Sequence, residues 1–253
     1  MSAALADPGL ALILLCVVMV TLTAVVYRLG GLGKPLTAPW AAARGALQLA
    51  AVSLVLAAAL AHLWSSFAVL AVMFGAAAVT AGRRARAGRS AVWLASALAS
   101  GVGVVLPLML VSGVVPMTGV ALVPIGGIVL GNAMTATALA AKRGLDAIDQ
   151  RWGEVEAGLS LGLTVRDARM EVVGPAASDA LLPGLDQTRT VGLVTLPGAF
   201  VGVLLATGSA VQAGAVQILV LVGLLLAQTC AVTVAIELVA RGVVHRPRTQ
   251  SVY

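Results

Sequence analysis

The stretch SAVWLASALASGVGVVLPLMLVSGVVPMTGVALVPIGGIVLGNAMTATALAA, residues 90–141, decides the fold because its 52 residues include no charged side chain. A helix that crosses a bilayer needs about 20 consecutive apolar residues, so the stretch is long enough for two crossings. The glycines and proline of SGVVPMTG at 112–119 mark a turn near its middle. It lacks the polar alternation of barrel strands, and a chain in lipid must pair its own backbone groups. The stretch therefore predicts two membrane helices.

The same pattern extends along the whole chain. Uncharged stretches at 8–27, 45–82 and 190–236 hold 20, 38 and 47 residues. Of the 253 residues 60% are hydrophobic and only 10% charged, with a mean hydropathy of +1.04. These values predict an all-α integral membrane protein with a single transmembrane domain over residues 1–253. The seven predicted spans are 9–27, 45–61, 64–82, 91–112, 119–141, 190–207 and 214–237.

The basic residues predict the orientation of the spans. All 16 Lys and Arg lie after the first, third, fifth and seventh spans, which places them on one face of the membrane. Cytoplasmic loops are enriched in Lys and Arg, so this face is predicted to be cytoplasmic, with the N-terminus outside and the C-terminus inside. This arrangement accounts for the net charge of +6 without a nucleic-acid partner.

One long polar segment, 142–189, separates the fifth and sixth spans, and it contains six basic and eight acidic residues. It is predicted to form short cytoplasmic helices. Asp149 is expected to cap a helix that runs to about Ser160, and Thr164 with Asp167 resembles a capping box for the next. Gly174-Pro175 and Pro183-Gly184 are expected to break or kink the remainder of the segment.

The sequence offers no residues for catalysis. GGLGKP at 30–35 lacks the first glycine and the Ser or Thr of a phosphate-binding loop. His62 and His245 are predicted to lie on opposite faces of the membrane, and the sequence has no metal-ligand spacing or nucleophile arrangement. We therefore expect a non-enzymatic chain without a cofactor of its own.

Several polar or sulfur-containing residues fall within or near predicted spans and are candidates for a transport pathway. Gln217 and Gln228 are three helical turns apart and share one face of the seventh span. Polar groups at this depth either face a pathway or form interhelical hydrogen bonds worth about 1 kcal/mol each, and both interpretations stay open. The candidate pathway residues are Gln48, Asn132, Met134, Gln217, Gln228 and Glu237.

Four blocks of the chain resemble one protein family. They are RGALQLAAVSLVL (44–56), VPIGGIVLGNAMTATALA (123–140), EAGLSLGLTVRDA (156–168) and LLPGLDQTRTVGLVTLPGAFVG (181–202). These blocks are similar to the FetB/YbbM family of ABC transporter permeases from bacterial inner membranes. The resemblance implies export of iron or a related metal ion by two permeases and two separate ATPase subunits, which bind ATP and Mg²⁺. The alternatives are a secondary, ion-coupled transporter and an ABC permease for a non-metal small solute.

The resemblance also gives the segment between the fifth and sixth spans a role. Glu156-Ala157 followed by Gly162 resembles the pattern of ABC permease coupling loops, which engage the ATPase. On a short helix Glu156, Leu159 and Leu163 would share a face, and Gly158 and Gly162 would leave the surface bare beside them. The resemblance does not identify metal-binding residues in this chain.

Overall fold

The computed structural model describes the backbone of residues 9–59 and 62–246 and the side chains of 9–54 and 62–246. The chain divides into two compact units, Met1–Ala59 and Leu60–Tyr253. In the first unit α1 (Leu10–Leu29) is followed by α2 (Thr37–Ala59). The turn between them contains Gly31 and Gly33, both with positive φ, a conformation that glycine adopts at no steric cost.

The second unit is built from α-helices and two short 3-10 helices. Its α-helices are α3 (Leu63–Ala85), α4 (Leu94–Val111), α5 (Gly119–Gln150), α6 (Trp152–Ser160), α7 (Val165–Ser178), α8 (Leu182–Thr190), α9 (Gly198–Thr207) and α10 (Ala210–Ala240). The 3-10 helices, Gly88–Trp93 and Asp179–Leu181, lead into α4 and α8.

The membrane character of the fold is confirmed. Among the described residues, five helical segments are long and apolar enough to cross a bilayer: α1, α3, Gly88–Val111, α5 and α10. α9 is apolar but has only ten residues. The protein is therefore an all-α integral membrane protein, whereas the seven-span count and the orientation stay predictions.

Two long helices, α5 and α10, form the centre of the second unit, and α3, α4 and α7 pack against them. Small residues line these contacts, and Ala133, Ala140, Ala231 and Ala235 are completely buried. Two backbones approach closely at Gly101 of α4, where a Cβ atom would lie 3.1 Å from the carbonyl carbon of Ala227 of α10. Small side chains let helix backbones approach closely, which is how helices associate in lipid.

The prediction of one spanning helix over 190–207 is wrong for its first eight residues, because α9 begins only at Gly198. α8 ends at Thr190, and the chain then makes a tight turn in which the Gly192 N–H donates to the Thr195 carbonyl oxygen over 2.9 Å. Gly192 has φ +81°, and Pro197 is the extended residue directly before α9. A left-handed glycine and a proline end or start helices, so only the last ten residues are helical.

The short helices predicted between spans five and six exist, with different boundaries. Asp149 does not begin a helix, because α5 continues past Lys142 to Gln150 and the chain bends at Arg151. Thr164 caps α7 as predicted, accepting a hydrogen bond from the Asp167 backbone N–H over 3.2 Å. The predicted break at Gly174-Pro175 occurs four residues later, at the 3-10 turn Asp179–Leu181.

Candidate functional site

The predicted coupling residues, from Glu156 to Leu163, lie in a helical hairpin, α6–α7, with a closed turn. α6 ends with the Gly162 N–H donating to the Leu159 oxygen (3.0 Å) and the Leu163 N–H to the Gly158 oxygen (3.1 Å). This pair of hydrogen bonds requires a residue with a left-handed backbone conformation after the helix, and Gly162 adopts it with φ +91°. Since the Thr164 cap follows at once, hydrogen bonds fix both sides of the turn.

The two helices of the hairpin pack tightly against each other. Gly158 of α6 is buried against α7, and a Cβ atom at Gly158 would lie 3.1 Å from the Cβ atom of Ala168. Val155, Ala168 and Val172 form a buried cluster with Ala147 of α5. The hairpin is therefore attached to one of the two central helices, and Gly158 contributes internal packing instead of exposed surface.

The other predicted coupling residues, Glu156, Ala157, Leu159, Gly162 and Leu163, are exposed as the hypothesis requires. The Glu156 carboxylate accepts a hydrogen bond from the Trp152 indole over 2.7 Å, which holds both side chains on the outer face of α6.

The tip of the hairpin is apolar. Leu161 is 86% exposed, and Leu163 and Val165 beside it are 41% and 52% exposed. Sequence reasoning singled out Leu163 but missed Leu161 and Val165. Clustered apolar side chains on an otherwise charged segment are typical of a surface that another protein covers.

Ion pairs join the start of α7, next to the turn of the hairpin, to the end of α10. Arg166 of α7 donates to both carboxylate oxygens of Glu237, over 2.7 and 3.1 Å, and Arg241 donates to the same carboxylate over 2.6 Å. Glu237 raises the pKa of Arg166, helped by Asp167. Thr164 and then Arg166 hold the pKa of Asp167 below its usual range. Both groups are thus charged at neutral pH, and Arg166 links the hairpin to the second central helix through Glu237.

Replacing Arg166 by glutamine should loosen this link. A partly exposed ion pair stabilises only modestly, so amide exchange at the start of α7 should become about two- to five-fold faster. Hydrogen–deuterium exchange of the purified protein in detergent measures this. Arg189→Gln is the matched control, because Arg189 and Asp186 form a more exposed pair with a 3.6 Å separation. Equal exchange at α7 in both variants would show that the Arg166 pair does not hold the hairpin.

The pathway candidates lie in different environments. Gln217 and Gln228 are both buried on α10, each 4% exposed, and neither Oε1 atom has a hydrogen-bond partner among the described residues. Asn132 is half-buried and donates to the Ile128 oxygen over 2.9 Å. Met134, on another side of α5, packs into the apolar core beside α3.

Two of the candidate pathway residues, Gln48 and Glu237, do not offer free polar groups beside the buried glutamines. Gln48 lies on the exposed surface of α2 in the first unit, and both oxygens of Glu237 are bound by arginines. Within the described ranges, no group of three or more His, Cys, Asp or Glu side chains could hold a metal ion. The glutamine oxygens of α10 are therefore the strongest remaining candidates for contact with a solute.

Comparisons with known proteins support the resemblance read from the sequence. A family model described as "Uncharacterised protein family (UPF0014)" matches residues 10–244. Protein ALUMINUM SENSITIVE 3 of Arabidopsis thaliana is 34% identical over 185 residues, which are 72% of this chain and 68% of that protein. UPF0014 membrane protein STAR2 of Oryza sativa subsp. japonica is 34% identical over 197 residues, 77% of this chain and 68% of that protein.

A bacterial relative carries a functional name. The probable iron export permease protein FetB of Escherichia coli (strain K12) is 32% identical over 124 residues, 49% of this chain and 48% of that protein. No solved structure matches the chain significantly. The resemblance to FetB-type permeases is confirmed.

Proposed function

Because this chain belongs to the UPF0014 membrane protein family, we propose that it is the permease subunit of an ABC transporter that exports iron or a related metal ion. The name of the Escherichia coli relative supports the cargo and its direction. A separate ATPase subunit would bind ATP and Mg²⁺ and perform hydrolysis, and two copies of the permease would form the pathway in a bacterial inner membrane.

The observation that carries this proposal is the rigid hairpin with an apolar tip. Leu161 and Leu163 at its turn are exposed on a segment otherwise rich in charge. Hydrogen bonds close the turn, and the hairpin is attached to α5 through packing and to α10 through Arg166 and Glu237. A force on the tip would therefore move the two central helices together, as an ATP-driven partner requires.

The pathway would use neutral oxygen atoms. The Oε1 atoms of Gln217 and Gln228 are buried on a helix apolar and long enough to cross a membrane, and they have no hydrogen-bond partner among the described residues. A buried, unsatisfied polar atom costs free energy unless something binds it. A few amide oxygens bind a metal ion weakly, which suits a site that must release its cargo. A secondary transporter would instead need a free acidic group in a span, and Glu237 already has two arginine partners.

The experiment that tests this function is reconstitution in liposomes with the ABC ATPase subunits of the same organism. Iron(II) and aluminium(III) are assayed for stimulated ATP hydrolysis and for ATP-driven flux. Aluminium is included because one plant relative is named for aluminium sensitivity. Metal flux without any ATPase, or no flux of either ion with an ATPase bound, would contradict the proposal.

Changing Glu156 should uncouple the two subunits. Glu156→Ala and Glu156→Lys remove the carboxylate from the outer face of α6, so metal flux should fall while the ATPase still hydrolyses ATP. Flux and hydrolysis are measured together in the same liposomes. Glu154→Ala is the control, since Glu154 is an exposed glutamate of the same helix that pairs with Arg151. Full flux in both Glu156 variants would reject the coupling role of this residue.

A further inference from the structure

A groove of about 450 Å³ lies between the end of α3 and the beginning of α4. Ala78 and Val79 of α3 form one wall, and Ala91 and Ala95 form the opposite wall. The walls touch at Gly82, where a Cβ atom would come within 2.6 Å of the Cβ atom of Ala91. The groove is thus a built feature of the fold, with apolar sides that continue along two membrane helices.

The mouth of this groove is strongly positive. Arg83, Arg86 and Arg89 line it, and all three are exposed. None of them forms an ion pair with any described residue, and the sequence from 8 to 145 contains no Asp or Glu. By contrast, Arg143 and Arg246 of the later segments pair with aspartates. Among the described residues, the arginines of the groove therefore have no acidic partner.

The mouth of the groove is expected at the depth of lipid headgroups, at the end of an apolar helix long enough to span a membrane. The arginines directly follow the apolar part of α3, and the neighbouring Trp93 is 54% exposed. Tryptophan is enriched at the membrane–water interface. A molecule bound here would have its polar part at the arginines and its apolar part along Val79 and Ala95.

We propose that this groove binds one anionic phospholipid. The phosphodiester would pair with the guanidinium groups of Arg83, Arg86 and Arg89, whose planar donors suit phosphate oxygens. One acyl chain would follow Val79 and Ala95 toward the bilayer interior. Each basic residue near a membrane surface raises the affinity for anionic lipid by a factor of about five. Three arginines therefore favour an anionic lipid strongly over a zwitterionic one.

The test uses the full chain in phosphatidylcholine nanodiscs and the fluorescence of Trp93. A parent variant with W40F, W64F and W152F leaves Trp93 as the only tryptophan. Brominated phosphatidylglycerol should quench it at about a ten-fold lower mole fraction than brominated phosphatidylcholine. The triple change Arg83→Gln, Arg86→Gln and Arg89→Gln should reduce this preference to about two-fold or less.

Two controls separate a groove from diffuse surface charge. Arg28→Gln, Lys34→Gln and Arg44→Gln remove the same charge elsewhere and should keep the preference. Ala95→Leu fills the groove without changing its charge and should weaken phosphatidylglycerol quenching about five-fold, whereas Ala99→Leu, on the exposed surface outside the groove, should not. No headgroup preference in the parent, equal loss in both triple variants, or no effect of Ala95→Leu would overturn the proposal.

Discussion

Replacing Gly101 by leucine should lower the melting temperature of the purified protein by about 10 °C or prevent it from folding. A Cβ atom at this position would lie 3.1 Å from the carbonyl carbon of Ala227 and nearer still to its oxygen, so α4 and α10 would have to separate. Overpacking a core costs typically 1–3 kcal/mol and more where backbone must move, and 1 kcal/mol shifts the melting temperature by about 2–4 °C at this chain length. Thermal unfolding in detergent, followed by tryptophan fluorescence, measures the change.

Gly103 provides the matched control on the same helix. A Cβ atom at Gly103 would meet no atom within 4 Å, and the residue is exposed. Gly103→Leu should leave the melting temperature within about 2 °C or raise it, because leucine is a better helix former than glycine. If Gly101→Leu and Gly103→Leu melt at the same temperature, the close contact between α4 and α10 does not stabilise the fold.

The fold class could be predicted because lipid leaves the chain few choices. Long uncharged stretches such as 90–141 must form helices, and the spacing of charges showed where they end. Hydropathy alone could not divide 190–207, since the apolar residues of its turn and of α9 look alike in composition. Two local features divide this stretch: the left-handed backbone of Gly192 and the extended backbone of Pro197.

The candidate site was partly predictable for a similar reason. The Thr164 cap and the end of α6 at Ser160 follow from short-range sequence patterns, and the structure confirms both. The pairing of Arg166 with Glu237 joins residues 71 positions apart, and no local pattern indicates it. Glu237 therefore looked like an isolated acidic group in a span, whereas it connects the hairpin to α10.

The apolar tip of the hairpin also changes how coupling is understood. Sequence reasoning emphasised Glu156, yet a single exposed carboxylate contributes little binding free energy. The turn residues Leu161 and Leu163 expose far more apolar surface, and burying a leucine side chain contributes about 1.5–3 kcal/mol. The tip should therefore determine affinity for the proposed ATPase, while Glu156 should affect how the movement of the ATPase is transmitted.

The double change Leu161→Asp and Leu163→Asp should weaken binding of the ATPase subunit at least about 100-fold. If the ATPase buries both leucines, their loss costs about 3 kcal/mol or more of binding free energy. Each introduced carboxylate would also have to lose its hydrating water in the interface. Surface plasmon resonance with the permease in nanodiscs measures the dissociation constant. Leu182→Asp, which alters an exposed leucine at the start of α8, should bind like the parent. Wild-type affinity in the double variant, with an unchanged melting temperature, would show that the partner binds elsewhere and that the hairpin tip is not the contact through which it moves α5 and α10.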